Sequence, residues 1–514
     1  MADKKPKNQI ESFLTSDLVV ENQVNPIPEG FTIIKKYPLH PPFSYVNILY
    51  NEEKSMYIYH VDELKLNKEE IETYKKLYRF LEESLESVDE SKVNSTFDEQ
   101  LKEVIQSNEK IFLNSSSVSL EKVKYYLKRD IDGFGIIDAL MHDVNIEDVS
   151  CSGPNTPIYI WHRNYDSIPT NIEYPSHDTL NSFISRIVFR AGKHISTAFP
   201  ITDLALKGNH RISVLYQKEV TPKGTSFTIR KFKEDPYTVV DLIKFGTISA
   251  SIAAYLWMLV EAKVSFIIIG PTGSGKTTIL NAITGLVNPD YKIFSVEDVS
   301  EININHDNWF SLISRSGFGQ SQEGEIGLYD LIKAGVRHRP DYIIVGEIRG
   351  SEAYVMFQAM ATGHGGLCTM HADSLESAIK RLQQKPMDIP PAYVSLMNVA
   401  IVVKRVKENA TGQSARRTTT IDEIETASKF NHTFTWNPKN DHFDENLTDS
   451  HLLKKLCETT GKDLPEILLE HKKRISILKW MIQNDIRDYK KVSETIGKYY
   501  RDPQSFLDKI EMGQ

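Results

Sequence analysis

Residues 265–278 read SFIIIGPTGSGKTT, and the reading of the whole chain works outward from them. An apolar run is followed by Gly270, Pro271, Thr272, Gly273, Ser274, Gly275, Lys276 and Thr277, and Thr278 then opens a helix-forming stretch to Ile283. The spacing is G-x-x-x-x-G-K-[ST] between a strand and a helix. Glycines let the backbone bend until its N–H groups point at phosphates, and the helix N-terminus adds favourable partial charge. Lys276 is positioned to reach β- and γ-phosphates, and the Thr277 hydroxyl to ligate Mg²⁺. A plain glycine turn would need neither the amine nor the hydroxyl. The expected ligands are therefore ATP and Mg²⁺.

Downstream, strand-like runs alternate with helical ones: KIFSVED (292–298), DYIIVGE (341–347) and GLCTMHA (366–372). Such alternation predicts βαβ units and a parallel sheet with helices on both faces. In a parallel sheet, acids at the C-terminal ends of strands face the ligand. Glu347 is the candidate to orient or deprotonate an attacking water. Glu297, Asp298 and Glu301 could hold Mg²⁺-bound waters, although acids after a strand also serve as helix caps. His364 and His371 flank a strand and are candidates to sense a γ-phosphate or position water, with no third ligand at a metal-site spacing. Beyond Arg416, TTTIDEIE and HTFTW are two more strand-like runs. From about Leu464 the chain is helical, with Leu468, Ile475, Leu478, Trp480 and Met481 among its apolar positions.

Upstream, residues 1–29 read as a mobile arm, polar apart from a short apolar cluster at 13–20. Asn67 followed by Glu70 is a capping box, with Ile71, Tyr74, Leu77, Leu81 and Leu85 on one face of the helix. Helical patterns recur near Phe97–Ile105 and Leu120–Leu127. Strand-like runs PIYIWHR (157–163), RISVLYQ (211–217) and SFTIRKF (226–232) then surround a helix at 180–191. The expected organisation is an arm (1–29), an N-terminal domain of helical lead-in and smaller α/β subdomain (30–232), a linker (233–240), and an ATPase domain with a helical extension (241–514).

A chain of 514 residues exceeds one ordinary core. A net charge of −8 argues against a protein built mainly to grip nucleic acid. Three scattered cysteines, Cys151, Cys368 and Cys457, suggest neither a disulfide framework nor a zinc site, and point to a reducing cytoplasm. No apolar run approaches the roughly 18 residues of a transmembrane helix. The N-terminus lacks the apolar core of a signal peptide. Membrane association is therefore expected through a partner or an interfacial face.

The order of these elements resembles the secretion/type IV pilus ATPase superfamily: P-loop, acidic box, apolar strand ending Gly346-Glu347, then TGH…TMH. The resemblance covers most of 265–372 and extends upstream to GFGIIDALMHDVNIEDVSCSG (133–153). GEIRG, TGHGGLCTMHAD and the absence of a tetracysteine loop are similar to the archaeal branch, which includes the motor ATPase of the archaellum. The resemblance implies a RecA-like P-loop domain after a smaller α/β domain. It gives Lys276 and Thr277 the Walker A roles and Glu347 the Walker B glutamate role. Glu297, Asp298 and Glu301 become the acidic box, with Val299 where many relatives have proline. His364 and His371 become the His box. Gly350 stands where bacterial relatives commonly carry an acid. The resemblance also implies a cytoplasmic homo-hexamer, peripheral at the membrane's inner face. Its partners would be a polytopic platform protein and accessory motor proteins. Arg211 and Arg230 are candidates to stabilise phosphoryl charge, with Arg337 and Arg349 as further possibilities. Pilus and secretion motors share this engine, and a nucleotide-binding assembly switch without turnover is the rival from another class.

Overall fold

Strand-rich segments with one buried face organise the first of two units, Met1–Phe232, and fully buried parallel strands organise the second, Lys233–Gln514. The computed structural model describes residues 26–86, 97–108, 117–232, 235–315, 324–407 and 414–511. Most of the expected N-terminal arm, and residues 233–234 of the expected linker, lie outside them.

The first unit opens on an antiparallel meander, β1 (Thr32–His40), β2 (Ser44–Asn51) and β3 (Met56–Glu63). The lead-in is thus not purely helical. These segments are rich in Ile, Val and Tyr, which suit a pleated, half-buried surface. Helices Lys68–Glu86, Phe97–Ser107 and Ser117–Leu127 follow. The first starts at the Asn67–Glu70 box, with reciprocal hydrogen bonds of 2.7 and 2.9 Å. Leu77 and Leu81 of that helix are buried, whereas Ile71 is exposed. Next comes an antiparallel six-stranded sheet in the order β6-β5-β4-β9-β8-β7. Its strands are β4 (Ile146–Cys151), β5 (Tyr159–His162), β6 (Asp166–Pro169), β7 (Ile201–Ala205), β8 (Arg211–Leu215) and β9 (Ser226–Arg230). Leu180, Ile184, Ile187 and Val188 of helix His177–Arg190 join Val149, Ile212 and Ile229 in its core.

The second unit carries a nine-stranded sheet, ordered β12-β11-β13-β14-β10-β15-β16-β17-β18. Six strands are parallel: β10 (Phe266–Ile269), β11 (Ile293–Glu297), β12 (Trp309–Ile313), β13 (Tyr342–Val345), β14 (Gly365–Met370) and β15 (Val399–Lys407). Antiparallel β16 (Ser414–Thr426), β17 (Lys429–Asn437) and β18 (His442–Glu445) extend the sheet past β15. The layout is that of a RecA-like α/β domain. Every residue of β10 is buried, as a strand covered on both faces requires. Phe266 and Ile268 join a core with Trp257 and with the C-terminal helices, including Leu464–Gln483 and Tyr489–Arg501. Ile267 and Ile269 face the other way, toward Ile343, Met356 and Met370.

Gly365, at the start of β14, is a packing glycine. A Cβ there would lie 2.5 Å from the Tyr342 ring. That ring is fully buried, and its hydroxyl donates to the Val260 and Val264 carbonyls, each at 3.0 Å. The Tyr342 ring cannot yield without breaking those bonds. Gly365→Ala is therefore expected to cost about 1–3 kcal/mol, the usual penalty for overpacking a core. Thermal unfolding should record a lower Tm for this variant, and an unchanged Tm would contradict the packing account.

Candidate active site

The site is assembled at the C-terminal edge of the parallel strands, where β10 gives way to the glycine-rich loop. Gly270 has no room for a side chain, since a Cβ would lie 2.4 Å from the Val403 carbonyl oxygen. Gly273 and Gly275 adopt φ of +73° and +95°, a left-handed backbone that L side chains rarely adopt. Gly275 caps helix Lys276–Thr284, whose first turn is thereby aimed at the loop.

Lys276 is almost fully buried, and its Nζ donates to the Pro271 carbonyl at 3.0 Å. The same ammonium lies 3.3 Å from His371 Nδ1, at the end of β14. His371 Nε2 is in turn 3.4 Å from Glu347 Oε1, just beyond β13. Thr272 Oγ1 is 3.5 Å from the same Nδ1, and Arg381 donates to the His371 carbonyl. Lys276, His371 and Glu347 therefore form one chain of polar contacts across three adjacent strands.

The acidic segment splits into three roles. Thr277 Oγ1 donates to Glu301 Oε2 at 3.2 Å, which places a carboxylate beside the hydroxyl expected to ligate a metal. Glu297 is buried and accepts the Glu301 and Ile302 N–H groups at 3.0 and 2.9 Å through Oε1. Among the described residues, its buried Oε2 has no hydrogen-bond partner. Burial pushes the Glu297 carboxyl up to about 7, against the pull of the two N–H groups. Asp298 instead accepts from Ser314 Oγ at 2.8 Å and pairs with Arg349. Asn281 of the loop helix holds the segment in place, donating to Glu301 O and accepting from Asn303 N at 3.1 Å each.

An Mg²⁺ ion takes one or two protein oxygens and completes its shell with phosphate and water. Thr277 with Glu301, beside a glycine cradle that excludes side chains, suits that demand.

Other expected residues fall elsewhere. His364 sits at the opposite end of β14 from His371, roughly 20 Å away at strand rise, and its Nδ1 is 3.0 Å from the Ala359 carbonyl. It is a helix-end contact and not part of the cluster. Arg337 is an exposed C-cap residue of helix Leu328–Val336. Arg211 and Arg230 are direct cross-strand neighbours on β8 and β9 of the first unit.

Two contributors were not singled out from the sequence. Glu352 accepts the N–H groups of Arg349 and Gly350, each at 2.6 Å, and so shapes the turn after Glu347. A Cβ on Gly350 would lie 2.7 Å from that carboxylate. The signal was an acid two residues after a glycine turn, a common capping pattern that does not identify itself. The second is Arg416, whose Nε donates to the Gly273 carbonyl at 3.2 Å.

The model of the type II/IV secretion system protein family matches residues 132–439. Over 74% of its length the chain is 38% identical to an uncharacterised protein of Methanocaldococcus jannaschii, covering 70% of that relative. It is 29% identical to a putative conjugal transfer protein of Mycobacterium tuberculosis, over 48% of this chain and 71% of the relative. Among solved structures, the Legionella pneumophila ATPase DotB is similar at 16% identity and a TM-score of 0.40, over 68% of this chain and 91% of that one.

The buried Glu297 carboxyl makes stability depend on pH. Between its ordinary value of 4.5 and about 7, the unfolded chain releases the proton while the folded chain keeps it. This group therefore lowers stability as pH rises through that window, and its penalty is constant above it. Glu297→Gln keeps an acceptor for both N–H groups and removes the ionisation. The variant should match wild type near pH 5 and exceed it by up to about 3 kcal/mol at pH 8. Calorimetric scans at the two pH values check this, and an equal Tm difference at both would contradict it.

Proposed function

This chain belongs to the type II/IV secretion system protein family, and we propose that it is an Mg²⁺-dependent ATPase that works as a hexameric motor. The observation that carries the reading is the polar chain from Lys276 through His371 to Glu347, beside the Thr277–Glu301 pair. It brings a phosphate-binding ammonium, a hydroxyl and a water-activating carboxylate to one edge of one sheet.

Backbone N–H groups within 272–278 cradle the phosphates, and Lys276 takes the β- and γ-oxygens. Thr277 and Glu301 would hold Mg²⁺, with Glu297, Asp298 and Glu347 as the wider acidic surround. When bound, the ion supplies neutralising charge to the β- and γ-phosphates. A γ-phosphate competes with His371 for the Lys276 ammonium. Release of that contact frees His371, and through it Glu347, to orient the attacking water and accept its proton. Cationic help for the phosphoryl group falls to Arg211 and Arg230. Arg349 is less suited, because it pairs with Asp298.

ATP then closes the N-terminal domain (30–232) onto the ATPase domain (241–514) through the 233–240 linker, and hydrolysis reopens it. Among the described residues, no helix is long and apolar enough to cross a membrane. In this reading force leaves through protein contacts, to a polytopic platform protein at the inner face of the cell membrane. Within the family we favour assembly and rotation of an archaellum-type filament, aided by accessory motor proteins. The GEIRG and TGHGGLCTMHAD wording supports that choice.

Phosphate release by purified protein across a range of concentrations tests the reading. Wild type should turn over ATP only with Mg²⁺, with a rate per subunit that rises cooperatively with concentration. Glu347→Gln should lose about 100-fold or more in kcat while still binding ATP, as expected for removal of a general base. Lys276→Ala should lose ATP binding. Tight binding without turnover by wild type would favour an assembly switch instead.

A further inference from the structure

We infer that Arg416 is a nucleotide-positioning residue that grips the P-loop from the side away from the acids and takes the α-phosphate of bound ATP. The inference rests on the ATPase reading above and extends it to a residue outside the P-loop, the acidic segment and the histidines.

The sheet order separates two sides of the loop. Glu297 ends β11, Glu347 follows β13 and His371 follows β14, all on one side of β10. On the other side β15 runs alongside β10, with Ile269 paired to Val402, and then continues past it to Lys407. Antiparallel β16 returns along that projecting segment and brings Arg416 to the same edge of the sheet. A triphosphate whose γ-end faces Glu347 and Lys276 points its α-phosphate toward β15 and β16.

A single extra residue aims Arg416. Val402 pairs with Thr420 but Val403 with Thr418, so Thr419 is a β-bulge. A bulge shifts the alternation of every residue beyond it. Were Thr419 paired with Val403 in regular register, Arg405 would face Arg417; because it bulges out, Arg405 faces Arg416. Directly opposed residues share one face, so Arg405 stands beside Arg416, and its Nε donates to Ser414 Oγ. Arg417 goes to the other face and has a structural role. It is buried, forms two 2.8 Å bonds to the Asp441 carboxylate and donates to the Phe245 carbonyl.

Arg416 contacts the loop at its two left-handed glycines. Its Nε donates to Gly273 O at 3.2 Å, and a Cβ on Gly275 would lie 3.2 Å from its Cδ. The aliphatic stem therefore lies over the bare Gly275 backbone, and the guanidinium stands at the loop rim. Its planar donors match a phosphate group better than an ammonium does.

The test uses the full chain with fluorescent ADP and ATP, together with steady-state kinetics. Arg416→Met keeps a stem over Gly275 and removes the charge. It should weaken ADP and ATP binding by the same factor, about tenfold or more, with kcat at saturation within about threefold of wild type. Arg416→Lys should recover most of the lost affinity. Equal losses for the two nucleotides exclude the γ-phosphate, and recovery by Lys then places the contact on a phosphate they share. The inference is overturned if Arg416→Met binds both like wild type, if it loses ATP but not ADP affinity, or if kcat falls at unchanged KM. It is overturned as well if Lys behaves like Met, because the loss then comes from packing. A wild-type chain that binds neither nucleotide defeats the ATPase reading itself, whereas normal wild-type binding with an unaffected Met variant defeats only this inference.

Discussion

The close passage of β10 beside β15 at Gly270 is the constraint on which the rest depends. The Val403 carbonyl and the Ser274 hydroxyl occupy the space where a side chain would stand, at 2.4 and 2.6 Å from an ideal Cβ. The central strand must end in glycine at that point, and the loop must bend away with further glycines. The bend turns backbone N–H groups outward at the start of helix Lys276–Thr284 and buries Lys276 under Pro271. It also leaves β15 free to run past the loop and to carry β16 back along it. The bent glycine loop, the buried ammonium and the Arg416 contact thus follow from one tight contact between two backbones.

Much of the fold was legible because parallel strands covered on both faces can only be short apolar runs. β10, β11, β13 and β14 have that form, and each was readable as SFIIIG, KIFSVED, DYIIVGE and GLCTMHA. The meander β1–β3 was not legible. The residues of β1 are mostly exposed, so TIIKKYPLH lacks the alternation that marks a half-buried strand. The Asn67–Glu70 box was readable as a helix start because its two reciprocal bonds are local. The outward turn of Ile71 was not, because a helix face is decided by what packs against it.

The site divides along the same line. Lys276 and Thr277 were legible from local spacing, since the loop's geometry is set within eight residues. The division of labour among Glu297, Asp298 and Glu301 was not, because three acids in five residues look alike until their partners are known. Glu301 meets Thr277, Glu297 is buried under Gly346, and Asp298 turns to Arg349. His364 and His371 read as a pair in sequence but are separated by a whole strand. Arg416 carried no signal, because 143 residues separate it from Gly273 and a bulge decides its direction. Contacts that cross strands lie beyond what local pattern encodes.

These contacts describe a site held shut by its own residues, with Lys276 and Glu347 both engaged by His371. The structure of Glu347→Gln with ATP and Mg²⁺ tests this claim most directly. The account predicts a γ-phosphate on the Lys276 ammonium, Mg²⁺ on the Thr277 hydroxyl, and the Lys276–His371 contact broken. A nucleotide bound away from residues 270–278, or one bound with that contact intact, would contradict it.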